Sequence, residues 1–289
     1  MGAVPTMPPL RVAELRDLLL APAGPLSRVE IVERTNSTNS DLAADLRADP
    51  TSWPDASVLV AEYQAGGRGR AGRSWETPAG TALTCSFVTH PPVPPTSFGW
   101  IALLAGLGAV NALRATCGVP ATLKWPNDLL VPAETEIDGW GAARKIGGIL
   151  TEVVTLPAGH PPAVVIGIGI NVSQSAEQLP VPSATSLALA GAQHVDREGL
   201  LVALVDAQLE VAQRWRDSGG DARGSGLAEE VAAVCSTLGT VVTVELPGGG
   251  SVSGLAARLD DDGALLVVDD HGEAHRVLAG DVRHVRRAG

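Results

Sequence analysis

The sequence predicts an α+β protein in two parts, a large domain of mixed strands and helices followed by a small β-barrel. Three observations carry that expectation. An apolar run, Ser57-Val58-Leu59-Val60, reads as a buried strand and leads straight into a loop with four glycines and three arginines within eight residues, Gly66 to Arg73. Two long amphipathic stretches, Phe98 to Cys117 and Asp196 to Ser218, have helical spacing and sit among strand-like runs. After Gly239 the chain changes to short strands and tight turns.

At 289 residues and 45% hydrophobic content, the chain is long enough to bury one large core and a smaller one. A net charge of −11 gives no positive field for non-specific DNA binding, so no nucleic-acid partner is expected. Cys85, Cys117 and Cys235 are far apart, odd in number and without a C-x-x-C, which suits reduced, buried thiols in a cytoplasmic protein. His271 and His275 are four apart in a strand-rich tail and are not read as metal ligands. The N-terminus lacks a charged start with an apolar core, and no uninterrupted apolar run reaches about 18 residues, so no membrane association is expected.

Residues 1–9 are rich in proline and read as unstructured. Leu10 to Leu20 reads as one short helix stopped by Pro22-Ala23-Gly24-Pro25, which leaves no room for a helix-turn-helix before the strand at Val29 to Val32. Thr35 to Asp41 is an N-cap cluster ahead of a helical run, Leu42 to Ala48, and its Ser37, Thr38 and Asn39 could also present polar groups to a ligand. Gly67-x-Gly69-x-x-Gly72 fits the dinucleotide fingerprint by letters. That fingerprint needs a following helix, whereas Arg73 to Gly80 is a loop containing Pro78, so the reading fails; a Gly-Lys-Ser/Thr phosphate loop is absent too. Glycines let the backbone approach a ligand and arginines offer planar donor forks, so the loop is suited to wrapping an anion and is expected to be mobile without one.

Thr81 to Thr89 reads as a strand, and Phe98 to Cys117 as a core helix with Gly118 and Pro120 as stops. In Thr122 to Val131 a proline interrupts an apolar strand, and the break turns Lys124, Asn127 and Asp128 toward one place. Lys145 to Val154 and Ala163 to Val172 read as two further strands. At period two, Val164, Ile166, Ile168 and Ile170 face a core, while Val165, Gly167, Gly169 and Asn171 share the other face. Bare glycine there suggests close approach by a flat ligand, a bulge or a packed neighbour. Leu227 to Leu238 is a shorter helix, and the tail reads as strands at Thr240–Leu246, Ser251–Leu259, Ala264–Val268 and Arg283–Val285.

Four stretches, in this order, resemble the biotin protein ligases, which attach biotin to acyl-CoA carboxylases. They are Ser37-Thr38-Asn39; Glu62-Tyr63-Gln64 leading into Gly67-Arg68-Gly69-Arg70-x-Gly72-Arg73-x-Trp75; Lys124-Trp125-Pro126-Asn127-Asp128; and Lys145-Ile146-Gly147-Gly148-Ile149-Leu150 with Gly167-x-Gly169-x-Asn171. The resemblance covers roughly residues 29 to 289. It implies a mixed sheet related to class II aminoacyl-tRNA synthetases over residues 1–238, of which 1–28 are largely extension, and an SH3-like domain over 239–289. It implies a two-step reaction: biotin and MgATP give biotinyl-5′-AMP, which then acylates one lysine of a biotin carboxyl carrier domain. The residues implied to bind biotin are Ser37, Thr38, Asn39, Gln64, Gly67, Arg68, Gly69, Arg70, Lys124, Gly148, Gly167 and Gly169. Those implied for ATP are Arg70, Arg73, Trp75, Asn127, Lys145 and Asn171. Arg70, Lys124, Lys145 and Asp128 would carry the chemistry, with Asp128 taking the acceptor lysine's proton and Mg²⁺ held mainly by ATP phosphates. The segment from Val131 to Arg144 is a longer loop than the turn the resemblance implies. A lipoate or octanoate ligase of the same fold is the nearest alternative, but such relatives generally lack the Gly-Arg-Gly-Arg-x-Gly loop. A biotin-responsive repressor would need a DNA-binding domain.

Overall fold

The computed structural model describes residues 7–157, 159–193 and 195–284. Its first layer is a seven-stranded sheet in the order β1-β2-β3-β7-β6-β5-β4. The strands are β1 (Arg28–Thr35), β2 (Ser57–Gln64), β3 (Ala82–Thr89), β4 (Thr122–Lys124), β5 (Asp128–Ile137), β6 (Gly141–Val154) and β7 (Ala163–Asn171). Only β1 and β2 run parallel; the other five pairings are antiparallel. Helix α1 (Val12–Leu19) precedes the sheet, and α2 (Thr38–Ala48), α3 (Ile101–Cys117), α4 (Arg197–Asp217) and α5 (Leu227–Val234) pack on it or on one another.

The alternation expected along β7 is what divides the sheet. Val164, Ile166, Ile168 and Ile170 join the large core under α3 and α4. Val165 lies on the opposite face in a smaller cluster with Leu42 and Leu46 of α2. Helix α2 covers only part of that face, and the bare strip beside it, floored by Gly167 and Gly169, is where the first cavity lies. The stretch Pro95–Cys117 is apolar and long enough to cross a bilayer by length and composition, but 67% of it is buried, as befits the core helix α3. The three cysteines are free and buried, and burial alone pushes the Cys85 thiol up to about 12.

The tail forms a five-stranded antiparallel sheet in the order β11-β10-β9-β8-β12. Its strands are β8 (Val241–Glu245), β9 (Ser251–Leu259), β10 (Leu265–Val268), β11 (Ala274–Val277) and β12 (Asp281–His284), with β12 returning to pair with β8 in the SH3-like manner. Strand β11 went unread in the sequence because the Gly-containing stretch around it has weak alternation, and Val285 lies outside the described residues.

Two expectations need correction. The segment 131–144 is not a loop; it is the far end of a β-hairpin made by β5 and β6, turning at Asp138-Gly139-Trp140. Pro132 does not break it, because Val131 and Pro132 still face Arg144 and Ala143. The N-terminal residues are also not free. Residues 1–6 lie outside the described residues, but the Pro8 carbonyl accepts from Arg197 Nη2 at 2.6 Å, and Leu10 N–H donates to Glu62 Oε1 at 2.5 Å.

Candidate active site

The polar cluster at the start of α2, two residues of which the helix takes in as its first turn, faces the glycine strip because Ser37 caps the helix: its hydroxyl accepts from Ser40 N–H at 3.5 Å. Thr38 N–H and Oγ1 donate to Gln64 Oε1 at 2.8 and 3.0 Å, which fixes the Gln64 amide at the end of β2. Asn39 Nδ2 donates to Leu150 O (3.1 Å) and Glu152 Oε2 (2.9 Å), and its Oδ1 accepts from Ser86 Oγ at 2.6 Å. All of its hydrogen-bonding groups are therefore engaged within the protein. A Cβ on Gly167 would stand 2.2 Å from Asn39 Oδ1, so this glycine makes room for Asn39 itself. Gly169 makes room for Trp75: a Cβ there would lie 2.5 Å from the indole. The glycine strip is thus packed by neighbours, which leaves a small pocket of about 50 Å³ beside it. Trp75 Nε1 is buried and has no hydrogen-bond partner among the described residues, a donor available to a ligand.

Serine and threonine on β3 also reach this region, a contribution the sequence reading missed. Thr84 lines the pocket and Ser86 holds Asn39; both alternate with Leu83, Cys85 and Phe87, so the period-two pattern was there to be read. Glu152 on β6 was missed as well, and nothing local distinguishes it from a solvent-facing acid.

The arginine loop doubles back on itself, with Arg68 bridged to Ser74 and Trp75 N–H donating to Gly67 O at 2.8 Å. The loop was expected to be mobile without an anion, yet each of its arginines has a partner within the protein. Arg68 Nη2 donates to Ser40 Oγ (2.7 Å) and lies 3.4 Å from Glu152 Oε1; Arg70 Nη1 donates to Asn127 Oδ1 at 3.0 Å; Arg73 pairs with Asp281 of the small domain.

The broken strand at Trp125-Pro126 turns as expected. Asn127 N–H donates back to Lys124 O (3.0 Å), Asn127 Nδ2 donates to Ile149 O (2.8 Å), and Trp125 Nε1 anchors the turn to Gly263 O (3.2 Å). Opposite it, the register of β5 against β6 shifts between Leu129 and Leu130, where Gly147 and Lys145 are their partners. Such a bulge re-aims side chains, and here Lys145 Nζ meets Asp128 Oδ1 at 2.5 Å. The Lys145 backbone is held separately, donating to Ser183 O and accepting from Thr185 N–H, each at 2.8 Å.

These turns enclose a second cavity of about 460 Å³. Arg70, Arg73, Lys124, Lys145 and Arg283 line it along with Asp128, Asp138, Glu245 and Asp281. Arg73, Lys145 and Arg283 are paired with carboxylates. Among the described residues, Arg70 and Lys124 make no ion pair, although Lys124 is only 4% exposed. Burial pulls the Lys124 ammonium down to about 8, opposed by the charge of Asp128 and assisted by that of Lys145. Burial also lowers the pKa of Arg70. Cations taken from water without a counter-ion are costly, so this cavity favours an anion. Lys145 lines both cavities. With Lys124 it completes the chain's lysines: there are two in all 289 residues.

Asn171 falls outside both linings: its Nδ2 donates to Thr185 O and its Oδ1 accepts from Gln174 Nε2, at 2.9 and 3.0 Å. Gly67 also sits off the lining, its missing side chain making room for Trp75 O and the Gln64 amide. Asp269, Glu273 and His275 group their ligand atoms on the small domain, where Asp269 Oδ2 already meets His275 Nε2 at 2.8 Å and no second observation points to a metal.

A profile for the biotin/lipoate A/B protein ligase family matches residues 31–171, and one for the biotin protein ligase C-terminal domain matches 237–285. The biotin–[acetyl-CoA-carboxylase] ligase of Mycobacterium tuberculosis is 37% identical over 284 residues, which cover 96% of this chain and 97% of that protein. The chain belongs to the biotin protein ligase family. The bifunctional ligase/repressor BirA of Bacillus subtilis is 29% identical over 88% of this chain and 72% of its own length. Biotin protein ligases share the fold in solved structures. That of Aquifex aeolicus, in complex with biotin and ATP, has a TM-score of 0.69 at 24% identity, over 91% of this chain and 100% of that one.

Proposed function

We propose that this family member ligates biotin to a lysine of a biotin carboxyl carrier domain by way of biotinyl-5′-AMP. One observation carries the reading: a small pocket of hydroxyl, amide and glycine groups meets a larger, cation-bearing cavity at Lys145. The lining of the first has the chemistry for a neutral ring with a carboxylate tail, that of the second for a nucleotide triphosphate, and the tail and the α-phosphate would then meet at that ammonium.

The assignments follow from the groups present. Ser37, Thr38 and Gln64 hold the ring, and Arg68 closes the pocket over it. Asn39 supports this wall from behind rather than reaching the ligand, since its groups are engaged. Arg70 and Lys124, cations without counter-ions, take the phosphates. The biotin carboxylate attacks the α-phosphorus and pyrophosphate leaves; Lys145 neutralises charge on both sides of the bond being made. Trp75 Nε1 and its ring face are available to the adenylate. Mg²⁺ bound with ATP would supply charge screening for the departing phosphates and would be held mainly through them, since such an ion keeps few protein ligands. In the second step the acceptor amine attacks the acyl carbon, AMP leaves, and the amine's proton passes to Asp128, freed as Lys145 turns to the phosphate. A cytoplasmic setting fits the three unpaired thiols, and the charge of −11 offers DNA no positive field.

Isotope exchange between ATP and pyrophosphate tests the reading. Biotin should support exchange, and lipoate should not; exchange with lipoate at the biotin rate would assign the chain to the other branch of its family. A second expectation concerns the arginine loop. Arg68 and Arg73 are exposed, with half and two-thirds of their side chains open to solvent, so trypsin should cut there in the free protein. Biotin with ATP should slow cleavage most and ATP alone least, as read by mass spectrometry of the fragments. Equal cleavage in all conditions would mean the loop does not close on the substrates.

A further inference from the structure

We propose that Trp140, at the tip of the β5–β6 hairpin, is a positioning residue for adenylation: its indole covers Lys124 and holds that ammonium in place for the incoming phosphates. The inference rests on the ligase reading for its catalytic consequence, though not for the contact itself.

Three features of the tip support it. The Lys124 Nζ lies 3.9 Å from the centre of the Trp140 ring, over its face. The chain bends on both sides of that residue, with φ of +73° at Gly139 and +63° at Gly141, values that disfavour any residue with a side chain. Trp140 N–H donates to Ile137 O at 3.0 Å, which closes the turn and aims the indole inward, into the lining of the larger cavity. Left-handed glycines are what a tight hairpin turn needs in any case, but a solvent-facing turn needs no tryptophan, and a buried lysine with no ion pair among the described residues needs some partner for its charge. The negative face of the indole supplies one without neutralising it. A carboxylate in the same place would compete with phosphate; an aromatic face does not.

The same cover excludes water from Lys124, in keeping with its depressed pKa. The charged groups facing it are Asp128 from β5, Lys145 from β6, Asp281 from the small domain and Arg73 from the arginine loop. Two of these are acids and two are cations, so burial, which the indole contributes to, outweighs them. Losing the ring removes an attraction that favours the charged form but also admits water; burial is the leading cause of the depressed value, so the wetting wins, the pKa rises toward the ordinary lysine value of about 10.4, and the side chain loses its fixed position.

The test compares Trp140→Ala and Trp140→Phe, each alone and with Lys124→Ala. In biotin-dependent ATP–pyrophosphate exchange, kcat/KM for MgATP should fall about ten-fold in W140A at neutral pH, the scale of one desolvated cation–π contact. It should stay near the wild-type value in W140F. With Lys124 already removed, losing the indole should cost less than two-fold, because Trp140 acts through that lysine. The wild-type profile should decline as pH rises through about 8, where Lys124 loses its proton, and this limb should move upward in W140A. An undiminished ten-fold loss in the Lys124→Ala background would mean the indole acts elsewhere, and an unmoved limb would overturn the proposal. Carbon-13 NMR of the labelled lysines needs no turnover and has only two side chains to resolve. If Lys124 titrates alike in W140A and the wild type, the positioning inference fails even where exchange proceeds. If Lys124 shifts but no biotin-dependent exchange occurs, the contact stands and the ligase reading falls.

Discussion

Lys145→Ala should lose adenylate formation by about a hundred- to a thousand-fold, the scale seen when one preorganised charge is taken from a developing anion. The lysine stands where the two cavities join, its backbone is fixed on both sides by segment 183–185, and its ammonium is delivered by a shift in strand register. The neighbouring cations are engaged elsewhere: Arg73 is drawn to Asp281, Lys124 lies under Trp140, and Arg70 is held by Asn127 in the larger cavity and does not line the smaller one. The fold should scarcely notice the change. The pair with Asp128 is partly exposed, 27% on the lysine side, and such pairs contribute about 1 kcal/mol or less. Pyrophosphate exchange alongside a thermal melt separates the two effects. Near-normal exchange with an unchanged melting temperature would place the chemistry away from this junction.

Arg197→Met should do the reverse. The Arg197 side chain is 2% exposed and pairs at 2.6 Å with Glu62, which closes β2 just before the arginine loop. The same guanidinium binds Pro8 O and, at 3.4 Å, Ala82 O, so it ties α4, β2, β3 and the N-terminal segment together. Truncation leaves a carboxylate largely buried without its cation, a change that costs about 3–5 kcal/mol. For a domain of this size each kcal/mol moves the midpoint by about 2–4 °C, so a fall of roughly ten degrees is expected by differential scanning calorimetry. Adding Glu62→Gln should recover part of the loss. A shift under about two degrees would mean water reaches Glu62 and replaces its partner.

Legibility from sequence followed the range of the forces involved. The strands and helices of the large domain were readable because burial of one face imposes a period, as in β7, whose aliphatic and glycine positions fell on the faces expected. The turn after Lys124 was readable because proline in an otherwise apolar, buried strand removes a ladder donor and interrupts it, whereas Pro132, on the solvent-facing part of β5, is tolerated. Partnership was not readable. Nothing near Arg73 in the chain announces Asp281, more than two hundred residues on, and Arg197 looks like any helix arginine until it is seen against Glu62. The hairpin at 131–144 was taken for a loop because its outer strands are largely solvent-facing and carry Pro132, Gly139 and Gly141. Asn39 was read as a ligand-binding residue, but its hydrogen-bonding groups are taken up by Leu150, Glu152 and Ser86, which come from two other strands.

The scarcity of lysine has a consequence for a protein that makes an acylating agent. A mixed anhydride escaping its pocket will react with whatever primary amine it meets, and the first surface it meets is that of its maker. Every basic side chain of this chain outside the site is arginine or histidine, and neither forms a stable amide under such attack. Any amide-linked biotin found on the intact protein must therefore sit at Lys124, at Lys145 or on the terminal α-amino group. Self-labelling at either lysine would thus report directly on the reaction centre rather than on the surface.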